Sequence, residues 1–96
     1  MPAYIRKISR DDARHGRLLI DNAKWGLFPQ PGGAISADVG GARSRLRVAS
    51  EPCACVPPEH EHRYLQVGAA RRRIIFVAGA RVAVERANGV YRLRNT

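Results

Sequence analysis

Apolar and polar positions alternate along much of this chain with the period of two that marks a half-buried β-strand. The clearest run is 42–48, where Arg43, Arg45 and Arg47 fall on one face and Leu46 and Val48 on the other. Residues 35–39 alternate just upstream, and Gly40-Gly41 between the two runs reads as a turn. Near the C-terminus 81–85 alternates, Asn88-Gly89 supplies the residue pair of a tight hairpin, and 90–93 returns. Shorter strands are expected at 4–8, 17–21 and 63–67. Ser9 ahead of Asp11 and Asp12 resembles a helix N-cap, predicting a turn of helix at most, which Gly16 ends. Gly26, Pro29, Pro31, Gly32 and Gly33 predict that 22–33 is loop without regular structure, with Trp25, Leu27 and Phe28 inside it. Residues 51–58 read as a proline-broken loop, and 69–78 fit a short helix or a strand equally well.

Together these elements predict a mostly β chain: a small open barrel or pseudobarrel of six to eight short strands with one or two short helices. No repeat, low-complexity stretch or linker divides it, so 1–96 is read as a single domain. A hydrophobic fraction of 45% fits a folded globule rather than a disordered chain. The longest apolar run, 74–78, falls far short of the roughly 18–20 residues of a transmembrane helix. Arg6, Lys7, Arg10, Arg14 and Arg17 interrupt any signal-peptide pattern, so the expectation is a cytoplasmic protein without a membrane partner.

Charge changes the picture most. Seventeen Lys+Arg against eight Asp+Glu give a net charge of +9 over 96 residues. The excess is not a tail: nine basic and four acidic residues lie in 1–48, eight and four in 49–96. All but Lys7 and Lys24 of the basic residues are arginine, which forks onto phosphates and guanine edges where lysine acts as a point charge. A folded domain this basic is expected to meet a polyanion, although an arginine-rich composition alone also accounts for the charge.

Several residues also resemble a known family. They are Gly-Arg-Leu-Leu-Ile at 16–20, Phe28-Pro29 followed by Gly32-Gly33, and a polar strand ending at Val48. To these is added Gly-x-Arg-Val-x-Val-Glu at 79–85, closing on Tyr91-Arg92-Leu93. Their order is similar to that of the DNA-binding pseudobarrel family, which includes plant B-three-type transcription-factor domains, restriction-enzyme effector-type domains and small bacterial relatives. The resemblance implies a seven-stranded open barrel with short helices that grips the DNA major groove with two arms, here around 21–33 and 50–63. It departs from the family at Gly79-Ala80, where Gly-Asp is common. It departs again in the second arm, which is rich in Pro and Cys and carries Glu51, Glu59 and Glu61.

The candidate nucleic-acid-binding residues are Lys24, Trp25, Arg43, Arg45, Arg47, Arg63, Arg71, Arg72 and Arg73. Alternate strand residues stand about 6.7 Å apart, so the 43/45/47 ladder makes a stripe of roughly 13 Å that can track a phosphate backbone. The same ladder on an edge strand would serve equally to deter aggregation. Arg71, Arg72 and Arg73 are consecutive and cannot share one face, so they are expected to fan outward. Trp25 either stacks on a base or tucks under its loop, and Phe28 is expected to plug one end of the barrel.

Cys53, Cys55, His60 and His62 form the sharpest local cluster. The two cysteines are too close to bridge each other. If Pro57-Pro58 turns the chain, two thiolates and two imidazoles could meet as a tetrahedral zinc set, although one residue between the cysteines matches no common zinc spacing. No pocket, oriented base or oxyanion site is legible, so an enzyme is not expected, and no cofactor other than that zinc is implied.

The leading expectation is therefore a nucleic-acid-binding domain, for double-stranded DNA, acting through an Arg-rich strand face and two loops. The alternatives are a protein-interaction or assembly module of a larger nuclease or phage system, with a protein partner or self-association, and a small structural zinc-binding domain.

Overall fold

A computed structural model of the chain describes residues 3–53 and 60–96, with Ala3, Cys53 and His60 described as backbone only. Its elements follow the alternation. β1 (Ala3–Lys7) leads into α1 (Arg10–His15), β2 (Arg17–Ile20) and a 3-10 helix, η1 (Asn22–Leu27). Then come β3 (Ala34–Val39), β4 (Ala42–Cys53), β5 (His60–Gln66), a second 3-10 helix η2 (Gly68–Arg73), β6 (Arg81–Ala87) and β7 (Val90–Asn95). The seven strands form one sheet in the order β1-β6-β7-β3-β4-β5-β2, rolled into a nearly closed barrel with an open seam between its outermost strands.

Strand register explains the core. Val39, Leu93, Val84 and Tyr4 are successive cross-strand partners over β3, β7, β6 and β1. Leu18, Leu65 and Val48 form a second row over β2, β5 and β4. All seven are buried in one cluster, and each large apolar side chain so placed contributes about 1.5–3 kcal/mol. A slip of one residue in any pairing would turn that strand's inward set to solvent. The seam is bridged where the Tyr4 hydroxyl donates to the Leu19 carbonyl oxygen at 2.6 Å.

Local signals set the turns. The Ser9 hydroxyl accepts from the Asp12 amide at 3.0 Å, and Gly16 closes α1 at φ 64°. Asp12 is the buried charged residue among those described, and its carboxylate accepts from Arg6 Nε at 3.0 Å. Asn88 and Gly89 both take positive φ, 52° and 77°, as a two-residue hairpin requires.

Three segments differ from the sequence reading. The stretch expected to lack regular structure begins with η1, whose Lys24 and Phe28 amides bond back three residues to Asp21 and Trp25. The segment left between helix and strand at 69–78 begins as η2 and continues irregularly. β4 does not stop at Val48 but runs through Pro52 to Cys53, paired with β5 as far as His60. Proline is tolerated there because β3 ends level with Arg47, so Pro52 has a strand neighbour on one side alone. Among the described residues no helix is long and apolar enough to cross a membrane.

Candidate nucleic-acid interface

The arginine ladder stands on the outer wall of the barrel. Leu46 and Val48 fill the core, so Arg43, Arg45 and Arg47 point outward, and all three are exposed. Across β3 they face Asp38, Ser36 and Ala34 in turn. On the other side β5 reaches only Arg47, through Gln66, before the chain leaves the sheet. The N-terminal half of β4 is therefore bordered by η2 rather than by a strand. The result is a shallow groove with Arg43, Arg45 and Arg47 on one bank and Gly68, Ala69 and Arg73 on the other.

The Arg71-Arg72-Arg73 run divides because a 3-10 helix turns about 120° per residue. Arg71 is half-buried and its guanidinium lies over Gly16, where a Cβ would come within 2.2 Å of Nη1. Arg72 is exposed to solvent. Arg73 follows buried Ala70 by three residues, so it faces the barrel, and its Nη1 donates to Ser44 Oγ at 3.3 Å. Arg73 thus joins the ladder's groove, while Arg71 packs against Gly16 at the end of α1.

The acid nearest the ladder is already engaged. Asp38 lies opposite Arg43, but its Oδ1 accepts from the Gly41 amide at 2.8 Å and holds the β3–β4 turn. The four ion pairs among the described residues are Arg6–Asp12, Arg17–Glu51, Arg63–Glu61 and Arg94–Glu85. None involves Arg43, Arg45, Arg47, Arg72 or Arg73. Sequence reasoning missed Arg92, which is exposed on β7 directly across Asp38 from Arg43. Alternation in 90–93 places Arg92 on the outer wall, but only the parallel β3–β7 pairing, invisible in the sequence, brings it to the ladder.

The remaining candidates lie elsewhere, and Arg63 and Trp25 among them are tied down. β4 and β5 continue past the ends of β2 and β3 as a projecting hairpin, the segment that corresponds to the expected second arm. At its base Arg63 donates to Glu61 at 3.1 Å, and its guanidinium lies 3.9 Å from the centroid of the Trp25 ring. Ser50 also donates to Glu61, and these two donors hold the Glu61 carboxyl below the ordinary carboxylate range. Trp25 is half-buried, donates its indole N–H to the Ile20 carbonyl at 3.1 Å, and packs on the core. Lys24 is half-buried beside it in η1. Phe28 plugs this end of the barrel, stacked on Tyr91 at 5.5 Å. On the outer face Arg17 repeats the Arg63 arrangement, lying 3.9 Å from the Tyr64 ring centroid and reaching Glu51 at 2.9 Å.

The candidate zinc set falls mostly where side chains are not described. Cys55 lies outside the described residues, and the backbone register sets Cys53 opposite His60 and Glu51 opposite His62. Among the described residues no three His, Cys, Asp or Glu side chains gather as a metal site. No family model matches the chain, and no curated protein matches it.

Proposed function

We propose that this is a nucleic-acid-binding domain that uses the outer wall of β4, together with η2 and Arg92, as its contact surface. One observation carries the reading: four exposed arginines (Arg43, Arg45, Arg47 and Arg73) line one groove without an ion pair to any described residue, with Arg72 exposed beside them on η2 and Arg92 exposed across Asp38 from Arg43 on β7. Exposed like charges held this close repel one another, and an incoming polyphosphate relieves that repulsion while releasing its counterions. The groove is open and formed by a strand and a short 3-10 helix, which suits tracking a strand of phosphates rather than enclosing a small molecule.

The test is fluorescence anisotropy of labelled DNA with three proteins: the native chain, a variant with Arg43, Arg45 and Arg47 changed to Gln, and a variant with Lys7, Arg10 and Arg14 changed to Gln. Both variants lose the same charge, but the second loses it from β1 and α1. Affinity falling at least about tenfold more in the first variant than in the second supports the reading. Equal losses would mean that net charge, and not this surface, attracts the nucleic acid.

A further inference from the structure

The same surface carries information about the form of nucleic acid it takes. We infer, resting on the reading above, that it holds double-helical DNA by the phosphate backbone, without regard to base sequence and in preference to single strands.

Single-strand binders pair a basic groove with aromatic platforms on which bases stack. Here all six aromatic residues are committed elsewhere. Tyr4 and Phe76 are buried, and Phe28 and Tyr91 are buried against each other. Trp25 lies beneath Arg63, and Tyr64 beneath Arg17. The residues that line the ladder's groove include no aromatic at all. A strand laid there would meet guanidiniums and backbone but no ring, so its bases would gain nothing for leaving their own stacks.

Base reading in a duplex requires an element that enters a groove. The major groove, about 12 Å wide, admits a helix or a two-stranded ribbon. The ladder lies within a wider wall, with β3 and β7 beyond it on one side and η2 on the other. Strands about 4.8 Å apart make that wall too broad to sink into the groove, so its arginines meet the ridges, where the phosphates are. The described part of the projecting β4–β5 hairpin is two strands wide and narrow enough to enter. Yet among its described residues Arg63 is held by Glu61, and Glu51 holds Arg17 of the neighbouring β2, so neither arginine is free to read bases. A stripe of roughly 13 Å instead spans about four steps of one duplex strand, given one phosphate per 3.4 Å of axis.

The experiment is competition anisotropy at low salt with one oligonucleotide offered as a single strand and as its duplex, and with a second duplex of unrelated sequence and base composition. The inference expects the duplex to bind at least about tenfold tighter than the single strand, and the two duplexes to agree within about threefold. A single strand that binds as well as its duplex overturns it, and so does a tenfold preference between the duplexes. If a duplex binds but the Arg43/Arg45/Arg47 variant binds it equally well, the site assignment fails instead. Absence of binding to every form removes the nucleic-acid reading and this inference with it.

Discussion

The guanidinium of Arg63 lies over the indole of Trp25, 3.9 Å from the ring centroid, and joins the base of the β4–β5 hairpin to η1. Both residues are natural candidates for gripping nucleic acid when read singly. Brought together they cover each other: the cation lies over the ring face that a base would need, and the ring and Glu61 hold the cation in place.

Trp25 is therefore expected to matter for stability rather than binding. Trp25→Phe, which keeps an aromatic ring but loses the bond to the Ile20 carbonyl, should cost about 1 kcal/mol. Trp25→Ala, which also removes core packing and the stack on Arg63, should cost about 2–4 kcal/mol. Urea unfolding measures both. DNA affinity of Trp25→Phe, measured under native conditions, is expected to stay within about twofold of the native protein. A tenfold loss of affinity there would return Trp25 to the interface.

Tyr4 makes stability fall at high pH. Burial, followed by the nearby Asp21 carboxylate, pushes its hydroxyl up to about 12 from an ordinary 10.0. The neutral form is the one the fold favours, since only it can donate to the Leu19 carbonyl across the seam. Its contribution is thus complete below pH 10 and is lost as pH rises toward 12, on the order of 2 kcal/mol in total. Denaturant unfolding across this window should show the decline in the native protein and a smaller one in Tyr4→Phe. Identical slopes would mean that the seam does not depend on this hydroxyl.

The two glycines of the β3–β4 turn should respond differently to the same substitution. Both have positive φ, 59° at Gly40 and 93° at Gly41. A Cβ on Gly40 would come within 2.1 Å of the Arg73 carbonyl oxygen, whereas one on Gly41 meets nothing within 4 Å. Gly41→Ala should cost about 1–2 kcal/mol from backbone conformation alone. Gly40→Ala should cost more, because η2 must move, and it should weaken DNA binding by displacing Arg73 from the groove. Thermal melts and anisotropy on both variants check this. Equal behaviour would show that η2 is not held against the turn.

What the sequence disclosed follows from the range of the interactions concerned. Ser9, Gly16 and the Asn88-Gly89 pair act within a few residues, so the caps and the C-terminal hairpin were legible. The outward set of β4 was legible because alternation is local. The extension of β4 through Pro52 was not, since proline is allowed there only because β3 has already ended. The role of Trp25 depended on Arg63, and that of Arg92 on the parallel pairing of β3 with β7. The Arg71–Arg73 run was expected to fan, but which member served the ladder required η2 and Ala70 to set the rotation.

The central claim is most directly tested by the salt dependence of DNA binding. With the five exposed arginines of the β4–η2 surface on phosphates, or six with Arg92, log K against log salt should have a slope of about −4.5 to −5.4, at about 0.9 per contact. Changing Arg43, Arg45 and Arg47 to Gln should lower its magnitude by nearly 3. An unchanged slope in that variant would contradict the account, because the phosphates would then be meeting some other part of the protein.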